Sequence, residues 1–227
     1  MPYTYDYTSA AIGDESALRR SWRFAKMTLT RWTRAKTFVF DRKSYPYLYH
    51  FCNKTWKNER GVEIPIFREL LLEHDGQRVL EVGNVLSHYF PIHHDVVDKY
   101  EVAPGVINQD IVEFVPPERY DLILSISTLE HVGWDESRVS RPNCCAPSNT
   151  CGTDVWLPAD RSSPACHLAT TSSSTGCSAT VRAPLRHSFL KRVSTKNYWV
   201  ESDWNNCKDV PYGRFVAHAI VIGTIQN

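Results

Sequence analysis

Three stretches decide the fold: RVLEVG at residues 78–83, DVVD at 95–98 and YDLILSIS at 120–127. Each is a short, nearly continuous apolar run rich in Val, Ile and Leu. An alternating run would mark a strand with one wet face; a continuous run marks a strand covered on both faces. The runs are separated by segments long enough for a covering helix. Such spacing predicts a parallel sheet and a doubly wound α/β fold.

Upstream of the first run, Ile64, Phe67, Leu70 and Leu71 repeat at helical spacing. Pro65 is expected in the first turn of that helix, and Asp75-Gly76 is expected to end it. Phe38-Val39-Phe40 reads as a short strand, followed by an aromatic cluster at Tyr45, Tyr47, Tyr49 and Phe51. Downstream, Tyr198-Trp199-Val200-Glu201 alternates like a strand. The stretch from Phe215 to Ile225 reads as a final buried one. These elements predict one domain over 39–227, preceded by a basic arm at 1–38. The arm carries Arg19, Arg20, Arg23, Lys26, Arg31, Arg34 and Lys36, interleaved with Trp22, Phe24, Met27, Leu29 and Trp32. It reads first as a solvated helix face, and second as an amphipathic helix for a membrane surface or a partner groove.

The 227 residues hold 26 Lys+Arg against 25 Asp+Glu, a net charge of +1, so no strong nucleic-acid signal arises from charge. The 22% charged and 12% aromatic content excludes global disorder. No apolar run approaches the roughly 20 residues of a membrane span. The start, MPYTYDYTSA, lacks an apolar signal core, which predicts a cytoplasmic location. Seven cysteines, an odd number with five of them between 144 and 177, do not suggest a disulfide framework. Their spacing does not fit zinc pairs either, so no metal is expected. Oligomeric state is not legible.

A nucleotide-like cofactor needs a glycine where the first strand turns, then an acid after the second strand for ribose hydroxyls. Gly83 and Asp98 meet those needs, 15 residues apart. Asp110 is placed for a base edge, and the third run delivers Ser127, Thr128, Glu130 and His131 to the same rim. His131 is the leading proton-transfer candidate, ahead of His88, His93 and His94.

The runs Val79-Leu80-Glu81-Val82-Gly83, Val96-Val97-Asp98 and Asp110-Ile111 and the block DLILSISTLEHVGWDE at 121–136 resemble the class I S-adenosylmethionine-dependent methyltransferases. FLKRVS, YWVESDW and VAHAIVIG look like that family's last strands. The likeness covers about 38–137 and 189–224. It implies a Rossmann-like methyltransferase sheet, S-adenosylmethionine as cofactor and methyl transfer to an acceptor, of small-molecule or sugar type, that the sequence does not name. It also implies that Glu81 and Gly83 approach the methionine end, Asp98 the ribose and Asp110 the adenine, with Asn84 and Ser127 among the cofactor-binding residues of the same rim. Asn58, Glu59 and Arg60 would close over the cofactor. The loop departs from the family's Gly-x-Gly-x-Gly, reading Gly83-Asn84-Val85-Leu86-Ser87-His88. Two other readings stand beside it: a non-catalytic or damaged relative that at most binds the cofactor, and a nicotinamide-dependent oxidoreductase. The missing Gly-x-Gly-x-x-Gly disfavours the last.

Residues 139–188 differ from the rest. They hold nine Ser, six Thr, five Pro, six Ala and five Cys, and no Glu, Lys, Ile, Phe, Tyr or Met. They show no helical period and no convincing strand where the fold needs a helix, a fifth strand and another helix. Low-complexity linker is one explanation. A second is a pair of compensating frameshifts, near Ser137–Val139 and Arg186–Phe189. Read in one shifted frame, the codons for 155–160 permit L-A-P-G-G, a pattern expected before that fifth strand. Either way the segment is expected to be aberrant and poorly ordered.

Overall fold

A computed structural model describes residues 17–129, 165–171, 185–210 and 217–226. Its centre is a pair of parallel strands, β3 (Val79–Val82) and β6 (Leu122–Ile126), buried along their whole length. Leu122, Leu124 and Ile126 face one core while Ile123 joins Leu80 and Val82 in another, so β6 is apolar on both faces. The continuous apolar run therefore follows from burial on two sides.

Ahead of this sheet lie α1 (Ala17–Thr33), the hairpin β1 (Thr37–Phe40) and β2 (Lys43–Pro46), and α2 (Arg60–Glu73). After β3 come β4 (Asp95–Val97) and the two-residue β5 (Val106–Ile107). After β6 come β7 (Ala165–Thr171), β8 (Leu185–Arg192), β9 (Trp199–Ser202), the one-turn α3 (Trp204–Cys207) and β10 (Ala219–Gln226). The eight-stranded sheet runs β5-β4-β3-β6-β7-β10-β8-β9. From β5 to β7 all pairings are parallel. β10 then pairs antiparallel with both β7 and β8, and β9 closes the edge antiparallel to β8. The architecture is mixed α/β with a parallel run compatible with a Rossmann-like sheet. Among the described residues no helix is long and apolar enough to cross a membrane.

Three expectations need correction. Between β3 and β4 the sequence leaves room for a covering helix, yet the chain makes only a single 3-10 turn at Leu86–His88. Pro91 disfavours helical backbone on Phe90 before it, so only the five residues 85–89 after Asn84 are free to coil. Pro65 is not in the first turn of α2 but inside the helix. The carbonyl its missing N–H would have bonded, that of Gly61, instead accepts from Leu48 N at 2.9 Å. The helix survives because a neighbouring segment supplies the lost donor. Third, the aberrant stretch 139–188 contains β7 and the start of β8. ACHLATT carries two β-branched threonines, and the open edges of β6 and β10 offer it backbone partners on both sides. The remaining residues of that stretch lie outside the described ones, as do Cys144, Cys145, Cys151 and Cys177.

α2 packs Val62, Ile64, Ile66 and Phe67 onto the face formed by Val79, Leu122, Leu124 and Ile126. The opposite face is covered by Ile111, Phe114, Tyr120 and Leu129. α2 thereby brings its first turn to the carboxyl end of β6, where the candidate site lies.

Candidate functional site

Parallel strands send all their carboxyl ends to one edge of the sheet. Here the chain steps outward from β3 to β4 to β5, then returns to the other side of β3 for β6 and β7. The order reverses between β3 and β6, and such a switch point leaves a crevice at the strand ends. The residues singled out from the sequence stand along this edge: Gly83 and Asn84 after β3, Asp98 after β4, Asp110 after β5 and Ser127 after β6.

Gly83 has φ of 87°, in the left-handed region. Its N–H donates to Val97 O at 2.8 Å, tying the exit of β3 to β4. A Cβ at this position would lie 2.1 Å from Thr128 Oγ1. Glycine is needed for its angle and for the close approach of the two exit loops.

Asn84 N donates to Asp98 Oδ2 at 2.9 Å, and Tyr100 N and Glu101 N donate to Asp98 Oδ1 at 2.8 Å each. Burial pushes the Asp98 carboxyl up, but these three donors and the nearby His88 outweigh it. They hold it below its ordinary value. Asn84 Nδ2 donates to Glu101 Oε1 at 2.8 Å, and His88 Nε2 lies 3.2 Å from Glu101 Oε2. One polar network therefore joins Asn84, His88, Asp98 and Glu101. Asp110 stands apart, paired with Lys99 Nζ at 2.7 Å and accepting from Val112 N. The Lys99 ammonium first, and the Val112 N–H second, lower its carboxyl.

Glu81 lies beneath this rim. It is fully buried; Oε1 accepts from Val85 N and Leu86 N at 2.9 and 2.8 Å. Its Oε2 is 2.8 Å from His94 Nε2. The carboxylate thus shapes the loop after Gly83 from below. Ser127, at φ of 48°, is a strained non-glycine residue whose hydroxyl donates to Glu63 Oε1 at 3.2 Å. Glu63 is itself fully buried and bonded by Arg60 Nη1 at 2.8 Å. Arg60 is therefore at the rim, while Glu59 turns elsewhere and accepts from Ala217 N. Asn58 Oδ1 is buried without a hydrogen-bond partner among the described residues. His131 lies outside the described residues.

Sequence reading missed Glu101 and Glu63. Glu101 had a signal: Asp98-x-x-Glu101 is the spacing of a capping pair, in which the first acid accepts the N–H of the second. Glu63 had none, because a helix of unknown placement does not reveal which strand end it meets.

The rim is rich in carboxylates, and its described cations, Arg60 and Lys99, are each paired with one. Such a surface suits ribose hydroxyls and a cationic group. It does not offer a diphosphate the glycine-rich loop and long-helix N-terminus it needs, since Gly83 leads only into the single turn at Leu86–His88. Among the described residues no group of three or more His, Cys, Asp or Glu could hold a metal ion. No protein-family model and no curated protein matches the chain.

Proposed function

We propose that the chain is a class I methyltransferase-like domain that takes S-adenosylmethionine at the β3–β6 switch point. The observation that carries this reading is the acidic, hydrogen-bonded rim of Asn84, Asp98 and Glu101 standing beside Gly83 at the carboxyl ends of parallel strands. S-adenosylmethionine supplies a methyl group on a positively charged sulfur. Asp98 receives the ribose hydroxyls, and Gly83 and Asn84 present backbone to the methionine end. Asp110, with Lys99 drawn aside, borders the base. Glu81 and His94 keep the loop in shape rather than touching the ligand. Catalysis then rests on alignment of an acceptor, of small-molecule or sugar type, held over the rim in the cytoplasm. His131 serves as base where the acceptor is a hydroxyl.

A second reading, a non-catalytic or damaged relative that at most binds the cofactor, is favoured by one fact: Asp98, Asp110 and Glu81 all have their oxygens engaged within the chain. Titration calorimetry with S-adenosylmethionine and with a nicotinamide dinucleotide tests both. We expect heat from the first only, with Asp98→Asn weakening affinity about ten-fold, the effect of losing about 1.4 kcal/mol of charged hydrogen bonding. Dinucleotide binding, or no binding of either, overturns the proposal. Binding with no release of labelled methyl across an acceptor screen selects the second reading.

A further inference from the structure

We propose that α1 is an interfacial anchor that lies on an anionic lipid surface through the stripe Trp22, Ala25, Leu29 and Trp32. The steps of three, four and three residues place these side chains on one face of a helix. All four are exposed, the three large ones at 65% for Trp22, 66% for Leu29 and 81% for Trp32. The helix is docked by its opposite side. Met27, five residues from Trp22 and so roughly half a turn away, is 3% exposed against Tyr49 and Trp56. Arg34, just past the helix, donates to Trp56 O at 2.6 Å and Lys196 O at 3.0 Å, fixing that orientation. Among the described residues the apolar stripe therefore meets no core, and its exposure costs hydration.

Charge selects the occupant. Residues 17–40 contain seven Lys and Arg and no acid. Arg19, Arg23 and Lys26 occupy helix positions four and three apart along one flank of the stripe, and Lys26 Nζ stands 5.0 Å over the Trp22 ring. A protein groove would need acids of its own to match this, whereas a bilayer with anionic headgroups provides them everywhere. Trp and Leu side by side suit the headgroup–acyl boundary, because indole is apolar with one polar edge. An RNA backbone would pair with the bases but leave Leu29 in water. The helix also hides its own polar groups. Thr28, Thr30 and Thr33 hydroxyls donate back to Phe24 O, Lys26 O and Leu29 O, which lowers the cost of leaving bulk water.

The test is co-sedimentation of the full chain with sucrose-loaded vesicles of phosphatidylcholine, alone or with phosphatidylserine. We expect binding to the anionic vesicles only, abolished as salt approaches about 1 M. The triple variant Trp22→Ser, Leu29→Ser, Trp32→Ser should lower the partition coefficient by at least about ten-fold with an unchanged far-ultraviolet circular dichroism spectrum. Lys26→Ala, which leaves the stripe intact, should lower it about five-fold, the weight of one basic residue near such a surface. No binding, equal binding to both vesicles, or binding undiminished in the triple variant overturns the proposal. So does concentration-dependent self-association that the triple variant abolishes, since the stripe would then be an interface between copies.

Discussion

At the scale of single residues, the switch point depends on contacts that tolerate no extra atom. Gly83→Ala would put a Cβ 2.1 Å from Thr128 Oγ1 at a φ of 87°. Backbone strain and overpacking together should cost about 2–4 kcal/mol of stability, read from the midpoint shift in urea unfolding. Thr128→Ala in the same chain should return part of that cost, because the hydroxyl contact goes while the Thr128 Cβ stays 2.8 Å away. A double-mutant cycle showing simple additivity would contradict the contact. Gly83, Asp98 and Ser127 could be picked out from the chain alone because strand ends are conspicuous. What could not be read was the direction each side chain takes. Glu81 points beneath the loop, and Glu63 reaches the same rim from a helix with no sequence link to it. Their placement follows from tertiary packing.

At the scale of elements, legibility tracked hydrophobic continuity. β3 and β6 were readable because burial on both faces favours nearly continuous apolar residues, broken only by Glu81 and Ser125. β5, two residues long, has no pattern to read. β7 is a strand because two neighbours offer it hydrogen bonds, not because ACHLATT is apolar, so no local rule finds it. The helix absent between β3 and β4 was misread because length alone was counted and Pro91 was not. The central position of β6 has an energetic counterpart. Leu124→Ala should destabilise by about 2–5 kcal/mol, since the residue is fully buried among α2 and the adjoining strands. Leu72→Ala, on the exposed side of α2, should fall within about 0.5 kcal/mol of zero. Thermal and denaturant unfolding of the pair checks the contrast. Similar losses in both would mean that α2 does not lie on the sheet as described.

Over the whole molecule, tyrosines set the alkaline limit. Burial first raises the phenols of Tyr45, Tyr47, Tyr49, Tyr89 and Tyr120, with Tyr49 and Tyr120 pushed up to about 12. An unfolded phenol ionises near about 10. A group whose folded pKa is raised leaves stability intact below the unfolded value and removes it as pH climbs through the folded one. The protein should therefore hold its fold to about pH 10 and lose it progressively towards pH 12, with tyrosinate absorbance rising as circular dichroism falls. Normal tyrosinate titration in an intact fold would refute the burial of these rings.

The position of β10 has a consequence for how the molecule is made. It follows all the sheet's other described strands along the chain, yet it lies inside the sheet, between β7 and β8. On the ribosome, every earlier strand emerges before the one that joins the parallel half to the β8–β9 edge. Until then β7 and β8 each present an unpaired edge, the kind of surface that recruits stray strands. The nascent chain must wait, half-zipped, for its closing residues. Anything that slows translation between β9 and β10 lengthens that exposure, so solubility during synthesis depends on the stretch that encodes β10 rather than on the residues of the switch point.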